Sequence, residues 1–526
     1  MGFKVVLCLV LVCFTLCGAQ DITFDLSDRP IKSTNILKQF YNFTNDRAQI
    51  YIENIADSVG FIIVQVHSHL NNVTLSSSRD NNLHSTITGT NIGLIYANDS
   101  SSTTFYLSKF FTQPNKILIV ITIHKDTDPV PGGCNLTFNN KVAPYQMISQ
   151  TDDMIEVNFQ APSGYGIDCD NNSIQIEKYH LFLPEMDNST EKYFEYLQKM
   201  LTVEDITKHG YKVPSYEGYY KYKTLYSAYR GTGQVFAVVI RYNNASSAYI
   251  PAISYACNAW DWDDCYGPIT THWKFACATL LIFGLFVCFF GHYFFKTTLA
   301  LVAYTFGVLL TFQIMSLTSK YSFEARSTTS LVLGIGYSVA WQFMWVKFGV
   351  PLLSALLTYF LAGYLVSSTV FYGLGDIPIF RNDENFWLTF VGISIVTMII
   401  LSGMFSIGHR LGCVLLGSYA VIVASNYYLG GYFQYIMINT IRRGTVKNFN
   451  MAVIDHPYQW KDMLQTVVWA LLAWIGNYIQ KKTQKGRAPF PNNTCFLNCG
   501  GRQTNLFNSV PTETTPLLRS YVPEYV

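Results

Sequence analysis

Residues 280–290 read Leu-Leu-Ile-Phe-Gly-Leu-Phe-Val-Cys-Phe-Phe, an apolar run without a single charged side chain. Blocks of this kind recur through the second half of the chain, at 275–295, 298–318, 328–346, 348–371, 386–407, 411–431 and 463–480. A helix needs about 20 such residues to cross the hydrocarbon core of a bilayer. The sequence therefore predicts a membrane domain of seven helices over residues 271–482, in contact with membrane lipids.

The composition agrees with a membrane protein. Of the 526 residues, 50% are apolar and only 13% are charged, and the formal net charge is +2. A nucleic-acid partner would need a basic face, so this balance argues against one.

The first 19 residues predict a signal peptide. Lys4 precedes the apolar run 5–16, and Cys17, Gly18 and Ala19 supply small residues for cleavage after Ala19. A short N-terminal anchor is the alternative reading of the same residues. Both readings place the following segment on the extracellular or luminal side.

N-glycosylation sequons cluster in this translocated segment. Seven occur before residue 271, and Asn492 begins the one other in the chain. The predicted glycosylation sites are Asn42, Asn72, Asn98, Asn135, Asn171, Asn188 and Asn244. Their clustering predicts a glycosylated surface.

Four cysteines lie in the same segment, and an even number in an oxidising compartment predicts two disulfides. Order along the chain favours Cys134 with Cys169 and Cys257 with Cys265. Four cysteines permit three pairings, so the sequence leaves the connectivity open.

β-Branched and aromatic runs predict strands through residues 20–270, separated by Gly, Pro, Asn and Asp. The predicted strands are 51–55, 61–66, 105–111, 117–124, 154–159, 174–182 and 235–242. We expect an all-β, sandwich-like ectodomain in two parts, 20–145 and 146–270, divided near Pro144. One amphipathic helix, capped near Ser189, interrupts the strands.

An external N-terminus places Lys296, Lys347 and Arg410 on the cytosolic side, as the positive-inside rule requires. The connection between the sixth and seventh blocks disagrees, because Arg442, Arg443 and Lys447 would then face outward. This connection alternates apolar and basic residues, a pattern that is compatible with an interfacial helix.

The motifs that would indicate catalysis or G-protein coupling are missing. The third block ends Met344-Trp345-Val346-Lys347 without the Asp/Glu-Arg-Tyr of G-protein-coupled receptors, and no block contains an Asp or a Glu. Intramembrane charges usually mark proton or solute pathways. The sequence therefore predicts a protein that is not an enzyme and that uses no cofactor.

Metal-ligating residues are too sparse to predict a site. His67 and His69 lie two apart on one predicted strand, and three Asp residues crowd positions 261–264. Neither group supplies a full ligand set at metal spacing.

Polar and small residues in the blocks predict close helix packing. Gln313, Gln342, Asn426 and Asn477 are of the type that joins helices by hydrogen bonds, and small residues repeat four apart at Gly334/Ser338, Gly363/Ser367 and Ala420/Ala424. Packing within one bundle and assembly of a homo-oligomer are both compatible with this spacing.

The predicted cytosolic tail, residues 483–526, carries a sorting signal. Glu513 stands four residues before the pair Leu517 and Leu518. This arrangement resembles the acidic dileucine signal that clathrin adaptors bind. It predicts traffic between the plasma membrane and endosomes or lysosomes.

Several motifs resemble the transmembrane 7 superfamily member 3 family. They are residues 128–138 (Asp-Pro-Val-Pro-Gly-Gly-Cys-Asn-Leu-Thr-Phe), 248–252 (Ala-Tyr-Ile-Pro-Ala), 255–257 (Tyr-Ala-Cys) and 288–292 (Cys-Phe-Phe-Gly-His). The likeness extends to the Thr-Pro-Leu-Leu of the tail, and the membrane half is similar to the group that includes transmembrane protein 198. All four ectodomain cysteines have counterparts in the family.

The resemblance implies a multi-pass glycoprotein of the cell surface or endomembranes, linked to cell survival under stress and to regulated secretion, with no established reaction. We expect a regulatory, signalling or scaffolding protein whose ectodomain binds an extracellular or luminal protein or glycan. A small-solute or lipid transporter is the alternative.

Replacing both Leu517 and Leu518 by Ala should raise the surface fraction of the protein and deplete it from endosomes, because the two leucines would fill the apolar pocket of an adaptor. Glu513→Ala should do less, since its exposed contact is screened by salt. Surface biotinylation measures the ratio. An unchanged ratio in the double-leucine variant would rule out the sorting signal.

Overall fold

A computed structural model describes residues 20–490, apart from short gaps at 28–35, 80–84, 98, 111–112, 165–168, 170–172, 216–219, 266–270, 319–320 and 487–489. The predicted signal peptide and the predicted sorting signal at Glu513, Leu517 and Leu518 lie outside the described residues. Asn98 and Asn171 lie outside them as well.

The first β domain is a sandwich of two sheets. One sheet has the order β1-β3-β8-β5-β6 and the other β2-β9-β4-β7. Its strands are β1 (Gln20–Asp25), β2 (Ile36–Phe43), β3 (Arg47–Glu53), β4 (Phe61–Ser68), β5 (Val73–Ser76), β6 (Thr86–Gly89), β7 (Asn91–Ala97), β8 (Thr103–Lys109) and β9 (Asn115–His124). Alternate residues such as Ile50, Val64 and Ile119 point between the sheets and form one buried core.

The second β domain begins at β10. Its strands are β10 (Val130–Cys134), β11 (Met147–Gln150), β12 (Met154–Asn158), β13 (Ala161–Ser163), β14 (Gln175–Glu185), β15 (Tyr211–Val213), β16 (Lys223–Ser227), β17 (Thr232–Tyr242), β18 (Ala245–Ala248) and β19 (Ala252–Ser254). β10 pairs with β13, a strand of the second domain. The second domain therefore begins by Val130, earlier than the predicted division near Pro144.

Two short helices join the β domains, α1 (Thr190–Gln198) and α2 (Val203–His209). Ser189 caps α1, as its sequence position indicated, by accepting a hydrogen bond from the backbone N–H of Lys192. Phe194 and Leu197 of α1 share a core with Leu118 and Val120 of β9. The two domains therefore pack against each other through a shared core.

Both disulfides follow the order of the cysteines. Cys134 is bonded to Cys169 and Cys257 to Cys265, with Cα–Cα separations of 5.7 and 5.1 Å. The second bond closes a tight loop around the one-turn helix α3 (Trp262–Cys265), directly before the membrane domain.

In the part of the chain that the structure describes, seven long helices and one short helix follow. They are α4 (Thr271–Phe290), α5 (Phe295–Leu317), α6 (Phe323–Phe348), α7 (Pro351–Leu374), α8 (Asp383–Gly403), α9 (Ser406–Leu429), the short α10 (Tyr435–Thr445) and α11 (Trp460–Gln484). Within the described residues, five of them, α5 to α9, are long and apolar enough to cross a membrane. The expected count of seven is therefore not confirmed, because α4 is apolar over 17 residues only and α11 carries charged residues at both ends.

Two pairs of predicted helices are separated by only a few residues, and the structure confirms one of these breaks but not the other. Gly349, with a left-handed φ of 63°, ends α6, and Pro351 starts α7, as the sequence indicated. The predicted break at Gly408, His409 and Arg410 is wrong, since these residues lie inside α9. The chain turns earlier, at residues 404–405, and Gly408 is needed because a Cβ there would lie 1.8 Å from the carbonyl oxygen of Leu401.

Small and polar residues bring the helices of the bundle together. A Cβ on Gly363 of α7 would lie 2.5 Å from the carbonyl oxygen of Ser394 in α8, and Ser367 is hydrogen-bonded to Ser394 at 2.7 Å. Gln313 of α5 donates to the hydroxyl of Tyr364. These contacts favour packing within one bundle for this part of the spacing pattern.

Acid should lower the stability of the first β domain through protonation of His67. This ring is fully buried in β4, and burial lowers its pKa to about 4, although the hydrogen bond to Asn91 opposes the shift. The folded pKa lies below the unfolded value of about 6.5, so stability is present above pH 6.5 and is lost as the pH falls toward 4.

Proton uptake by His67 should lower the free energy of unfolding by about 2 kcal/mol at pH 5. This corresponds to roughly a 30-fold fall in hydrogen-exchange protection of residues 61–68, after correction for intrinsic rates. His67→Gln should remove most of this acid response, while His209→Gln should keep it. An equal response in both variants would contradict the assignment to His67.

Candidate functional site

The connection between α9 and α11 forms the contact between the β domains and the helices. Its 30 residues, 430–459, contain α10, a 3₁₀ turn at Phe449–Met451 and a two-residue strand, β20 (Ala452–Val453). We call the contact of this segment with the second β domain the junction.

Strand β20 extends a sheet of the second β domain. It pairs in parallel with β16, placing Leu225 opposite Ala452 and Tyr226 opposite Val453, so that this sheet has the order β11-β12-β16-β20. Val453 also enters a core with Tyr226 and Phe236. The membrane domain thus attaches by strand addition, which satisfies backbone groups at a sheet edge.

Arg442 of α10 is the main polar contact of the junction. Its Nε donates to Asp153 at 2.9 Å, one Nη donates to the carbonyl oxygen of Ala228 at 2.9 Å, and the other donates to that of Asp152 at 2.8 Å. The hydroxyl of Ser227 accepts a further bond at 3.2 Å. All four acceptors belong to the second β domain, and Arg442 is only 6% exposed.

Tyrosines fill the apolar part of the junction. The ring of Tyr229 lies edge-on to Tyr432 and Tyr435, with centroid distances of 5.9 and 4.8 Å. The Tyr435 hydroxyl accepts from the backbone N–H of Arg230 at 3.2 Å, and the Tyr432 hydroxyl is hydrogen-bonded to Thr232. Buried tyrosines therefore combine apolar area with satisfied hydroxyls.

A third set of contacts joins Gly431 and the start of α11 to β14. Glu185 accepts from the backbone N–H of Gly431 at 2.6 Å and pairs with Lys461 at 3.1 Å. The Gln459 side chain donates to the carbonyl oxygen of Leu183 and accepts from the backbone N–H of Glu185, both at 3.0 Å.

A second arginine links the junction to the connection between α7 and α8. Arg443 donates to Asp383 at 2.9 Å and to the carbonyl oxygens of Phe380 and Arg381. Arg381 in turn donates to both carboxylate oxygens of Asp376 and to the carbonyl oxygen of Met451. The junction thus holds helices α7, α8, α9 and α11 at one end of the bundle.

Titratable side chains lie close together beside Arg381 and Arg443. His180 of β14 is hydrogen-bonded through Nε2 to Asp455 at 3.2 Å and through Nδ1 to the Gln234 amide nitrogen at 3.0 Å. The next residue, His456, stacks on Tyr372 of α7 with ring centroids 3.9 Å apart.

Burial and neighbouring charge shift several pKa values here. Burial and the charge of Asp455 raise the pKa of Asp376 to about 7, against the opposing charge of Arg443. Burial and the charge of Arg381 lower the pKa of Lys178 to about 8. Burial lowers the pKa of His456, although the charge of Asp455 opposes this.

Burial by itself would raise the pKa of Asp455. The hydrogen bond from His180 and the charges of His456 and Arg381 outweigh burial, so the pKa of Asp455 lies below its ordinary value.

The chemistry of this arrangement is structural. The N–H groups of Arg442 and Arg443 named above are bonded to carboxylates and carbonyls, which leaves little capacity for a bound anion. The adjoining cavity, lined by residues such as Tyr372, Asp376 and Asn439, measures about 40 Å³, room for a few waters. Among the described residues, no group of three or more His, Cys, Asp and Glu is placed to hold a metal ion.

The predicted glycosylation sites differ in exposure. Asn42, Asn72 and Asn244 are exposed, whereas Asn135 and Asn188 are half-buried. The amide nitrogen of Asn135 donates to the carbonyl oxygens of Phe138 and Asn140. Glycosylation of the seven sequons stays a prediction.

Sequence reasoning missed most residues of the junction, yet one signal pointed to it. Arg442 and Arg443 disagree with the positive-inside rule, and the sequence of their connection is compatible with an interfacial helix. The helix exists as α10, but both arginines are buried in ion pairs with Asp153 and Asp383.

Three family models match the chain. A TM7SF3-like N-terminal immunoglobulin-like domain matches residues 32–124, a TM7SF3-like second immunoglobulin-like domain matches 129–260, and a TM7S3/TM198-like domain matches 277–481. Transmembrane 7 superfamily member 3 of Homo sapiens is 30% identical over 493 residues, which cover 89% of this chain and 86% of that protein. The chain belongs to the transmembrane 7 superfamily member 3 family.

Transmembrane 7 superfamily member 3 of Rattus norvegicus is also 30% identical, over 489 residues with the same coverage. The family establishes a membrane protein with N-terminal immunoglobulin-like domains followed by a helical membrane region. The junction therefore connects the second immunoglobulin-like domain to the family's membrane domain.

Arg442→Met should weaken the junction by about 3 kcal/mol, because it leaves Asp153 and two carbonyl groups without their donor. For units of this size, that lowers the unfolding midpoint by roughly 6–12 °C. Scanning calorimetry of the full chain in detergent measures the midpoint.

Arg230→Met is the matched control. Arg230 pairs with the exposed side chain of Asp152, so its loss should shift the midpoint little. Equal shifts in the two variants would show that Arg442 has no special role.

Proposed function

We propose that this chain is a non-enzymatic regulatory membrane protein in which the second immunoglobulin-like domain and the helix bundle act as one coupled unit. A protein or glycan that binds the ectodomain would shift the arrangement of the helices. The observation that carries the proposal is Arg442, whose hydrogen-bond acceptors all belong to the ectodomain.

The contacts at the junction suit the transmission of a signal. Energetic coupling between distant sites can be carried by packed side chains, hydrogen-bond networks and rigid secondary elements. Strand pairing, buried tyrosines and ion pairs all connect the second immunoglobulin-like domain to helices α7, α8, α9 and α11. The link to cell survival under stress and to regulated secretion, which the resemblance implies, forms part of the proposal.

We further propose seven crossings, with the ectodomain outside and the tail in the cytosol. The connections 375–382 and 430–459 lie at the end of the bundle that holds the ectodomain. Phe490 lies at the other end, against His292 and Phe405. Lys296 at the start of α5, Lys347 in the last turn of α6, and Lys481 and Lys482 in the last turn of α11 lie toward this second end, in agreement with the positive-inside rule.

A small-solute or lipid transporter is the alternative. Two features rank it second: the cavity beside the junction has room for a few waters rather than a solute, and the apolar blocks of the sequence contain no Asp or Glu. Uptake of solute by vesicles that contain the purified chain would favour this alternative.

Labelling of cytosolic neighbours by a biotin ligase fused after Val526 tests the coupling. In cells that express equal surface amounts, Arg442→Met should keep the ectodomain and its glycans but change the recovery of at least one cytosolic neighbour by more than about twofold. Arg230→Met should match the wild type. Identical profiles for all three proteins, together with a lowered unfolding midpoint in Arg442→Met, would contradict signalling through the junction.

A further inference from the structure

Phe490, the last residue that the structure describes, lies among four rings at the end of the bundle opposite the junction. The centroid of its ring is 4.8 Å from that of Phe405, 5.2 Å from Phe295, 5.6 Å from His292 and 6.0 Å from His409. All four pairs are edge-to-face, an arrangement in which aromatic rings attract each other. We call these four partner residues the inner pocket.

The walls of the inner pocket are shielded from water. Phe295, His292 and His409 are 1%, 2% and 0% exposed. The two imidazoles are hydrogen-bonded to each other through their Nδ1 atoms at 3.0 Å, and because one Nδ1 has to accept, at least one ring is neutral. Such walls favour an uncharged aromatic side chain over a charged one.

The turn between α8 and α9 is strained at Phe405. Its φ of 45° lies in the left-handed region, which a bulky side chain rarely adopts. A strained residue of this kind persists only where its surroundings hold it. The carbonyl oxygen of Phe405 accepts from the Tyr359 hydroxyl and from the backbone N–H of His409, both at 2.9 Å, and its ring lies against Phe490. Phe490 therefore supplies one of the contacts that hold the turn.

The inner pocket and the junction are connected by the same helices. α8 and α9 meet at the strained turn, and α11 ends shortly before Phe490. At the junction, Asp383 at the start of α8 pairs with Arg443, and Lys461 at the start of α11 pairs with Glu185. Rigid helices that reach from one site to the other can carry a rearrangement between them.

The sequence around Phe490 suits an anchor. Gly486 follows α11 with a left-handed φ of 79°, the conformation in which glycine commonly ends a helix. Pro489 and Pro491 flank Phe490 in the sequence. Proline restricts its own backbone and that of the residue before it, so docking of Phe490 costs less conformational entropy.

We propose that the inner pocket is the docking site of the chain's own cytosolic tail, with Phe490 as the anchor, and that a rearrangement of α8, α9 and α11 begun at the junction releases it. Release relaxes the turn at Phe405 and frees the tail for cytosolic partners. This inference rests on the coupled unit and on the cytosolic position of the tail, both proposed above.

Photo-crosslinking of the full chain in lipid nanodiscs tests the docking. The variant Phe490→p-benzoylphenylalanine should yield, on irradiation, cross-links within one chain to peptides that contain Phe405 or Phe295. The same probe in Phe507→p-benzoylphenylalanine, at a tail phenylalanine outside the described residues, should lose most of these cross-links. Mass spectrometry of the digested protein measures both yields.

Hydrogen exchange tests the docking without a bulky probe. Phe490→Ala removes a contact of the strained turn, so exchange of residues 403–409 should rise at least about threefold, after correction for intrinsic rates. Phe507→Ala is the matched control and should leave this exchange unchanged. Equal rates in the wild type and both variants would overturn the role of Phe490.

Arg442→Met, which weakens the junction at the other end of the bundle, tests the release. It should lower the cross-link yield from position 490 by more than about twofold. Arg230→Met should keep the yield of the wild type.

The outcomes separate the docking from the coupled unit. A yield from position 490 no higher than that from position 507 would overturn the docking, whatever Arg442→Met does to the cytosolic neighbours. Cross-links between two chains would assign the pocket to a second copy and would also overturn it. An unchanged yield in Arg442→Met, in a protein whose cytosolic neighbours do change, would overturn the release and leave the coupled unit standing. An unchanged yield with unchanged neighbours would overturn both the release and the coupled unit.

Discussion

The buried guanidinium of Arg442 is the constraint on which the arrangement of this protein depends. Removing a cation from water costs several kcal/mol unless donors and acceptors are matched, and here every acceptor is supplied by the second immunoglobulin-like domain. Arg442 is therefore satisfied only when the loop 430–459 lies against this domain. Strand β20 and the tyrosine cluster follow from the same contact, because they pack only when α10 lies against the domain.

Elements whose pattern is local were predictable from the sequence. The runs 61–66 and 235–242 are strands because β-branched and aromatic residues dominate them, and both runs are buried. Ser189 caps α1 as its position indicates. The strand β20 was not predictable, since two residues carry no period. The sequence predicts the break between α8 and α9 at Gly408, His409 and Arg410 because these residues separate two apolar blocks, whereas in the structure Gly408 allows α9 to approach Leu401.

The junction could not be predicted because its partners are far apart in the chain. Asp153 and Arg442 are separated by 289 residues, and His180 and Asp455 by 275. No spacing rule joins such positions, so only the anomaly in the positive-inside pattern pointed to them. Through the same long-range contacts, the connection 430–459 completes a sheet of the second immunoglobulin-like domain and holds four helices at one end of the bundle.

The pairing of β20 with β16 can be tested directly by a disulfide. Leu225 and Ala452 are partners across the parallel strands, and paired Cα atoms in neighbouring strands lie about 5 Å apart, within the range of a disulfide. Leu225→Cys combined with Ala452→Cys in the full chain should yield a cross-linked peptide in mass spectrometry of protein from the secretory pathway. Two free thiols in a folded, glycosylated double variant would contradict the attachment of the ectodomain to the bundle.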